Sequence, residues 1–267
     1  MAMRIARVLS LLAVAGTFSA QAAEPIRVFA AGSLKVAFTE LGATFEAKEG
    51  VPVRFEFGPS GLLRDRLIKG ETADIFASAN MEHPQTLHNR GLGAPVRRFA
   101  RNSLCALATP TLAINSETLL ERLLDPAVKV ATATPKADPS GDYAFELFAR
   151  AEKRQPGARE RLAAKALTLT GGPSSPLPPK DRSQYGKLVE DGTADVFLTY
   201  CTNALQARRE VPAEQVVAIP DDLNVGADYG LIVLGKTDAA ARFANFVLSP
   251  AGQAILSKQG FSAVSGD

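Results

Sequence analysis

Four turns in this 267-residue sequence have the residue types of a binding site for a small anion. In each turn an extended segment passes into a predicted helix at a serine or beside one. The turns are residues 31–34, 58–61, 139–141 and 181–183, with Ser33, Ser60, Ser140 and Arg182 at their centres. The first N–H groups of a helix lack partners within the helix and lie at the positive end of its dipole, so each turn could bind an anion. One such serine is usually only a helix cap, but four turns could bind one anion together if they face the same cleft.

Sequence signals for catalysis are weak. The sequence has no Gly-x-Ser-x-Gly turn, no Gly-x-x-x-x-Gly-Lys loop and no dinucleotide fingerprint after the first predicted strand. His83 and His88 are five residues apart in a polar stretch, a spacing that suits neither a metal site nor a catalytic triad. We therefore expect both histidines to be exposed surface residues and the protein not to be an enzyme.

An alternative from another functional class is an exported hydrolase that uses Ser33 or Ser60 as its nucleophile. The sequence argues against it because no well-placed base accompanies either serine. The remaining carboxylates near turns are expected to be turn formers and helix caps: Asp138, Asp142, Asp221 and Asp222.

The N-terminus has the pattern of a secretory signal peptide over residues 1–22. Arg4 and Arg7 precede an apolar run of about 11 residues, and Ala20 and Ala22 supply the small residues of a cleavage site. The run is too short to span a bilayer, which takes about 20 residues. We therefore expect an exported protein in the periplasm, beginning near Ala23 or Glu24.

Charge and cysteine content narrow the class of protein further. Without Arg4 and Arg7 the 30 basic residues fall to 28, equal to the 28 acidic ones, so no overall field would attract nucleic acid or an anionic membrane. Export would allow a disulfide between Cys105 and Cys201, although two unpaired buried thiols are equally consistent with their spacing.

Strands and helices alternate along the chain. Residues 26–80 are predicted to run strand, helix, strand, helix, strand, and residues 103–200 form a second unit of the same kind. Such alternation is typical of parallel strands joined by crossover helices, so the fold class is α/β. Later strands are predicted at 216–219 and 229–234, followed by two closing helices.

Several segments together resemble the periplasmic molybdate-binding proteins of ABC transporters, in the right order over nearly the whole mature chain. The segments that carry the resemblance are residues 28–34, 58–63, 70–79, 102–104, 138–144 and 194–204. The resemblance implies a two-lobed type II periplasmic binding protein fold, with a mostly parallel sheet flanked by helices in each lobe and two hinge crossovers. Lobe 1 would hold residues 24–101 plus 227–267, and lobe 2 residues 102–226. This topology would also bring Cys105 near Cys201 and so favour a disulfide.

The resemblance also implies a ligand and its contacts. They fall on Ser33 and Ser60 in lobe 1 and, in lobe 2, on the Ser140 N–H, a residue near Arg182, and Tyr200. All are uncharged donors apart from Arg182, which suits a fully deprotonated dianion such as molybdate or tungstate. Molybdenum would enter only as the bound oxyanion, with no protein ligand on the metal and no cofactor. The expected partners are the small oxyanion and a membrane permease of an ABC transporter, with no nucleic acid, and the protein is expected to be a monomer.

Three features depart from the family pattern. Ser140 adds a hydroxyl, the loop over residues 173–179 is rich in proline, and Arg182 replaces an apolar residue that uses only its N–H. These departures leave other ligands open, namely sulfate, chromate or a small organic acid. A regulatory effector domain of the same fold is a further alternative, but the signal peptide argues against it.

Overall fold

The computed structural model describes residues 23–262 and residue 264. The predicted signal peptide lies outside these residues. The nine strands of the described part are β1 Ile26–Ala31, β2 Val53–Gly58, β3 Ile75–Ser78, β4 Arg97–Ala108, β5 Val130–Ala133, β6 Leu167–Thr170, β7 Val196–Tyr200, β8 Gln215–Ala218 and β9 Gly226–Val233. The ten α-helices of the same part are α1 Lys35–Glu49, α2 Ser60–Ile68, α3 Glu82–Asn89, α4 Leu119–Leu124, α5 Pro139–Ala151, α6 Ala158–Lys165, α7 Gln184–Glu190, α8 Cys201–Glu210, α9 Asp238–Leu248 and α10 Pro250–Lys258.

The strands form two half-sheets that share one long strand. In the first half-sheet β1 lies between β2 and β3, parallel to both, and β9 pairs antiparallel with β3 and with Arg97–Ser103 of β4. In the second half-sheet β5 lies between β6 and β7, parallel to both, and β7 and β8 pair antiparallel with the end of β4. Strand β4 therefore changes partners between Ser103 and Leu104, and the two half-sheets correspond to two lobes. The lobe boundaries derived from the resemblance stay a prediction.

Apolar side chains pack helices against both half-sheets, and the main cluster of buried side chains extends through both. On the first, Phe38 of α1 packs edge-on against Phe99 of β4, with ring centroids 5.6 Å apart. On the second, Tyr185 of α7 packs edge-on against Phe197 of β7 at 5.1 Å. Aromatic pairs of this kind contribute about 0.5–1.5 kcal/mol beyond their buried area. The helices thus fix the position of the strand ends, where the candidate binding residues lie.

Cys105 and Cys201 are joined by a disulfide that links β4 to the first residue of α8. The two cysteines are 96 residues apart in the sequence, so the bond restricts a long loop of the unfolded chain. No helix in the described part of the chain is long and apolar enough to cross a membrane.

The burial of the histidines differs from expectation. His83 is only 3% exposed, and His88 is partly buried. The prediction that both are exposed surface residues is therefore wrong. The reason is tertiary: α3 packs its His83, Pro84 and Leu87 face against the first half-sheet, although the segment is polar in sequence.

Candidate functional site

Ser33 lies at the carboxyl end of β1, in a single 3-10 turn (Gly32–Leu34) that leads into α1. Its Oγ is 2.9 Å from the Oη of Tyr229, a fully buried residue of β9. Asn102 donates from Nδ2 to the same Oη at 3.3 Å and to Thr202 Oγ1 at 2.9 Å. These hydrogen bonds connect Ser33 to the start of α8 on the other half-sheet.

Ser60 and Tyr200 meet through one intervening residue, Ala79. Ser60 is the first residue of α2 and is 1% exposed, and its Oγ accepts a hydrogen bond from Ala79 N at 3.1 Å. Tyr200, at the end of β7, donates from Oη to the carbonyl oxygen of Ala79 at 3.3 Å. The structure thus brings these two predicted contacts together from opposite half-sheets.

Three tyrosines form a cluster at this point. The ring centroid of Tyr200 lies 5.6 Å from that of Tyr229 and 6.3 Å from that of Tyr143 on α5. Burial raises the pKa of all three phenols well above the ordinary value. All three are therefore neutral at physiological pH and keep an O–H that can donate.

Of these tyrosines, only Tyr200 was predicted from the sequence as a ligand contact; Tyr143 and Tyr229 were not. A usable signal was the amino-acid count, because the chain has only four tyrosines. The fourth is Tyr185. The charge of Asp138 raises the pKa of Tyr185, and it also raises those of Tyr200 and Tyr229.

Ser140 lies at the start of α5, and its donors are directed to Asp138. Oδ1 of Asp138 accepts from Ser140 N at 3.0 Å and from Ser140 Oγ at 2.9 Å. The prediction that Asp138 caps a helix is confirmed. Burial, followed by the charge of Asp142, raises the pKa of Asp138, while the two bonds from Ser140 lower it.

Two of the four predicted turns contact each other across the cleft. Gly61 N, at the start of α2, donates to Ala137 O at 2.9 Å, beside the start of α5. A Cβ at Gly61 would lie 2.3 Å from Lys136 O and 2.8 Å from Ala137 O, so only glycine allows this approach. Lys35 of α1 donates to Lys180 O, just before the predicted turn at 181–183, at 3.2 Å.

The structure does not bring Arg182 into the tyrosine cluster. Its guanidinium pairs with Glu190 at 2.6 Å, where both side chains are more than a third exposed. The neighbouring Ser183 N–H donates to Glu210 Oε2 at 2.6 Å, so this turn's first donor is also engaged. The placement of Arg182 as a ligand contact stays a prediction.

Glu214 lies close to Gly186 of α7 and is 2% exposed. Neither carboxylate oxygen has a hydrogen-bond partner among the described residues, and one would be 3.3 Å from a Cβ at Gly186. Burial, with the negative charges of Glu190 and Glu210, raises the pKa of Glu214 to about 7, although Arg182 opposes the shift.

The surroundings of His83 favour its neutral form. Its Nδ1 is 3.0 Å from Arg64 Nη1, and burial together with that cation lowers its pKa to about 4. Within the part of the chain that the structure describes, no cluster of three or more His, Cys, Asp or Glu side chains could hold a metal ion.

Residues 26–262 match the family described as bacterial extracellular solute-binding proteins. The chain belongs to this family. It is 37% identical over 238 residues to the uncharacterized protein PM1146 of Pasteurella multocida, covering 88% of this chain and 98% of that one. It is 30% identical over 248 residues to the molybdate-binding protein ModA of Mycobacterium tuberculosis, covering 91% of this chain and 86% of that one.

Two solved structures share the fold of this solute-binding protein. The periplasmic molybdate-binding protein of Azotobacter vinelandii has a TM-score of 0.72 at 18% identity, covering 90% of this chain and 100% of that one. The sulfate-binding protein SubI of Mycobacterium tuberculosis also has a TM-score of 0.72, at 19% identity, covering 90% and 87%. The two-lobed type II fold expected from the sequence is confirmed.

Family membership settles the general role. A solute-binding protein captures a small ligand outside the cytoplasm and presents it to the permease of an ABC transporter. The family is described as one of solute-binding proteins, and the match lends no support to the hydrolase alternative.

The contact at Gly61 gives a testable prediction. In Gly61→Ala the added Cβ collides with two backbone carbonyls, so the loop 134–138 must move away from α2. We expect amide hydrogen exchange of residues 60–63 to be about tenfold faster, the loss of roughly 1.4 kcal/mol. Alanine favours a helix by about 1 kcal/mol, so faster exchange cannot come from helix propensity. Gly58→Ala is the control, because the three atoms nearest to its Cβ would belong to Leu63, at ordinary distances of 3.6–3.8 Å. Unchanged exchange in Gly61→Ala would contradict the contact.

The buried Glu214 makes stability depend on pH. Because its folded pKa of about 7 is above the usual 4.5, the folded state loses stability as pH rises through this range. We expect Glu214→Gln to be more stable than the wild type by about 1–3 kcal/mol above the folded pKa, and to lose that advantage below the usual value. Urea unfolding at one pH above 7 and one below 4.5 measures this difference in stability. Glu160→Gln, at an exposed position, is the control. An equal gain at both pH values would exclude titration of Glu214 as the cause.

Proposed function

We propose that this solute-binding protein captures molybdate, and tungstate with it, in the cleft between its two half-sheets. The observation that carries the proposal is the meeting of Ser60 and Tyr200 at Ala79, with Ser33 joined to the same group through Tyr229. These side chains come from both half-sheets and are all uncharged hydrogen-bond donors. The name of the 30% identical ModA relative supports the same ligand.

Neutral donors match the chemistry of the proposed ligand. Molybdate and tungstate are fully deprotonated at neutral pH, so their four oxygens only accept hydrogen bonds. Burying a dianion is unfavourable unless many donors replace its water shell. Hydrogen bonds to a charged group contribute about 1.5–3 kcal/mol each, so a set of hydroxyl and amide donors can supply that replacement.

Closure of the cleft is the proposed means of retention. Tyr200 Oη bonds Ala79 O at 3.3 Å, near the outer limit for a hydrogen bond, and Gly61 N bonds Ala137 O at 2.9 Å. We expect a bound oxyanion to take the Tyr200 donor from Ala79 and to add contacts in both lobes. Such a ligand favours the closed form only by its difference in affinity for the two forms.

Other oxyanions are the alternative that the site leaves open. The fold is shared with a sulfate-binding protein, and sulfate, chromate or a small organic acid would use the same donors. Competition calorimetry with these anions against molybdate separates the alternatives. We expect tungstate to compete with molybdate at nearly equal affinity, because the two anions have the same charge and almost the same size.

Removing two donors tests the placement of the site. Titration calorimetry of the wild type should show one molybdate per chain, and Ser33→Ala with Ser60→Ala should weaken binding about 10²–10⁴-fold. The control is Ser257→Ala, an exposed serine on α10. Circular dichroism should show both variants folded. Unchanged affinity in the double variant would refute the assignment of these serines, and failure of the wild type to bind would refute the ligand.

A further inference from the structure

Asp138 is a carboxylate placed among the neutral donors of the cleft. Its Oδ1 holds two hydrogen bonds from Ser140, one of the predicted ligand contacts. The backbone at Gly171 lies against the other side of the carboxyl group. A Cβ at Gly171 would lie 2.6 Å from Asp138 Cβ and 2.8 Å from Asp138 Oδ2. The positive φ of Gly171, 75°, suits this close passage. The backbone thus packs closely against the Asp138 side chain.

The groups that face Asp138 do not neutralise a negative charge. Its own helix contributes Asp142, a second negative charge. Tyr185 of α7, Tyr200 of β7 and Tyr229 of β9 all lie within range of its charge and are neutral phenols. Within the described part of the chain, no lysine or arginine is among the groups that shift the pKa of Asp138; its causes are burial, Ser140 and Asp142.

An ionised Asp138 would oppose the binding of a dianion. Like charges brought within a few ångströms in a buried site disfavour the ionised form of the weaker acid, as in paired carboxylates. Molybdate cannot relieve the repulsion itself, since it carries no proton at neutral pH. The proton that removes the repulsion has to be taken up by the protein.

We propose that Asp138 takes up one proton from the solvent when a doubly charged oxyanion binds, and that its Oδ2–H then donates to an oxygen of the anion. Oδ1 keeps both hydrogen bonds from Ser140, and no bond of the oxyanion is made or broken. This inference rests on the proposed function, and it makes Asp138 a ligand-contacting residue that the sequence analysis treated only as a helix cap.

Proton uptake makes the affinity depend on pH. The bound state holds Asp138 protonated, so binding is strongest at low pH and weakens as pH rises above the pKa of the ligand-free carboxyl. The dissociation constant should rise by up to about tenfold per pH unit there. Hydrogen phosphate would behave differently, because it brings its own proton and could donate to an ionised Asp138 without uptake.

Calorimetry with the full mature chain tests the proposal. Molybdate is titrated in two buffers of different ionisation enthalpy, and the difference in observed heat gives the number of protons taken up. At a pH above the pKa of the ligand-free carboxyl, which the pH dependence of the affinity locates, we expect close to one proton per site for the wild type. Asp138→Asn should take up none, bind with pH-independent affinity and exceed the wild type at alkaline pH. Asparagine is an equally good helix cap, and its amide can both accept from Ser140 and donate to the anion.

The control is Asp142→Asn, which removes a neighbouring carboxylate on the same helix that bonds Lys136 N and not Ser140. It should keep the proton uptake. Wild-type binding without proton uptake at any pH tested, or uptake that persists in Asp138→Asn, would overturn the inference and leave the proposed function intact. Absence of molybdate binding at every pH would overturn both together.

Discussion

The hydrogen bond from Tyr200 to the carbonyl of Ala79 is the contact on which the candidate site depends. It joins the end of β7 to the residue directly after β3, 121 residues away in the chain. Ala79 N in turn bonds Ser60, so one peptide segment holds donors of both half-sheets within reach of one small ligand. Strand β4 runs through both half-sheets and connects them. The close approach of Gly61 to Ala137 closes the other side of the same cleft.

The second constraint is that the hydrogen-bond donors of the cleft are polar but carry no formal charge. Tyr200, Tyr229 and two of the three serines are buried, and burial keeps the two phenols neutral. The cleft therefore offers O–H donors where a lysine or arginine would offer a full positive charge. Arg182, beside a predicted contact, is paired with Glu190. Asp138 places a titratable acid beside Ser140. On the proposed mechanism, the selectivity of the cleft depends on the protonation state of Asp138 as well as on its shape.

Local sequence patterns predicted the fold well where the pattern itself decides the structure. The alternation of Val53, Phe55 and Phe57 indicated β2, and the turn before Ser140 indicated the start of α5. Features that depend on distant parts of the chain were missed. Tyr229 contacts Ser33 across 196 residues, and its own segment gives no sign of that partner. His83 is buried because α3 packs on a sheet face that its polar sequence does not reveal. The direction of Arg182 is likewise set by Glu190, eight residues away on α7.

The central claim is that neutral donors from the two lobes enclose one doubly charged oxyanion. The most direct measurement is a crystal structure of the mature chain grown with tungstate, with the tungsten atom located by its anomalous scattering. The account predicts one tungsten atom per chain, with its oxygens within hydrogen-bond distance of Ser33 Oγ, Ser60 and Tyr200 Oη. A tungsten atom bound elsewhere, or none in crystals grown with saturating tungstate, would contradict it.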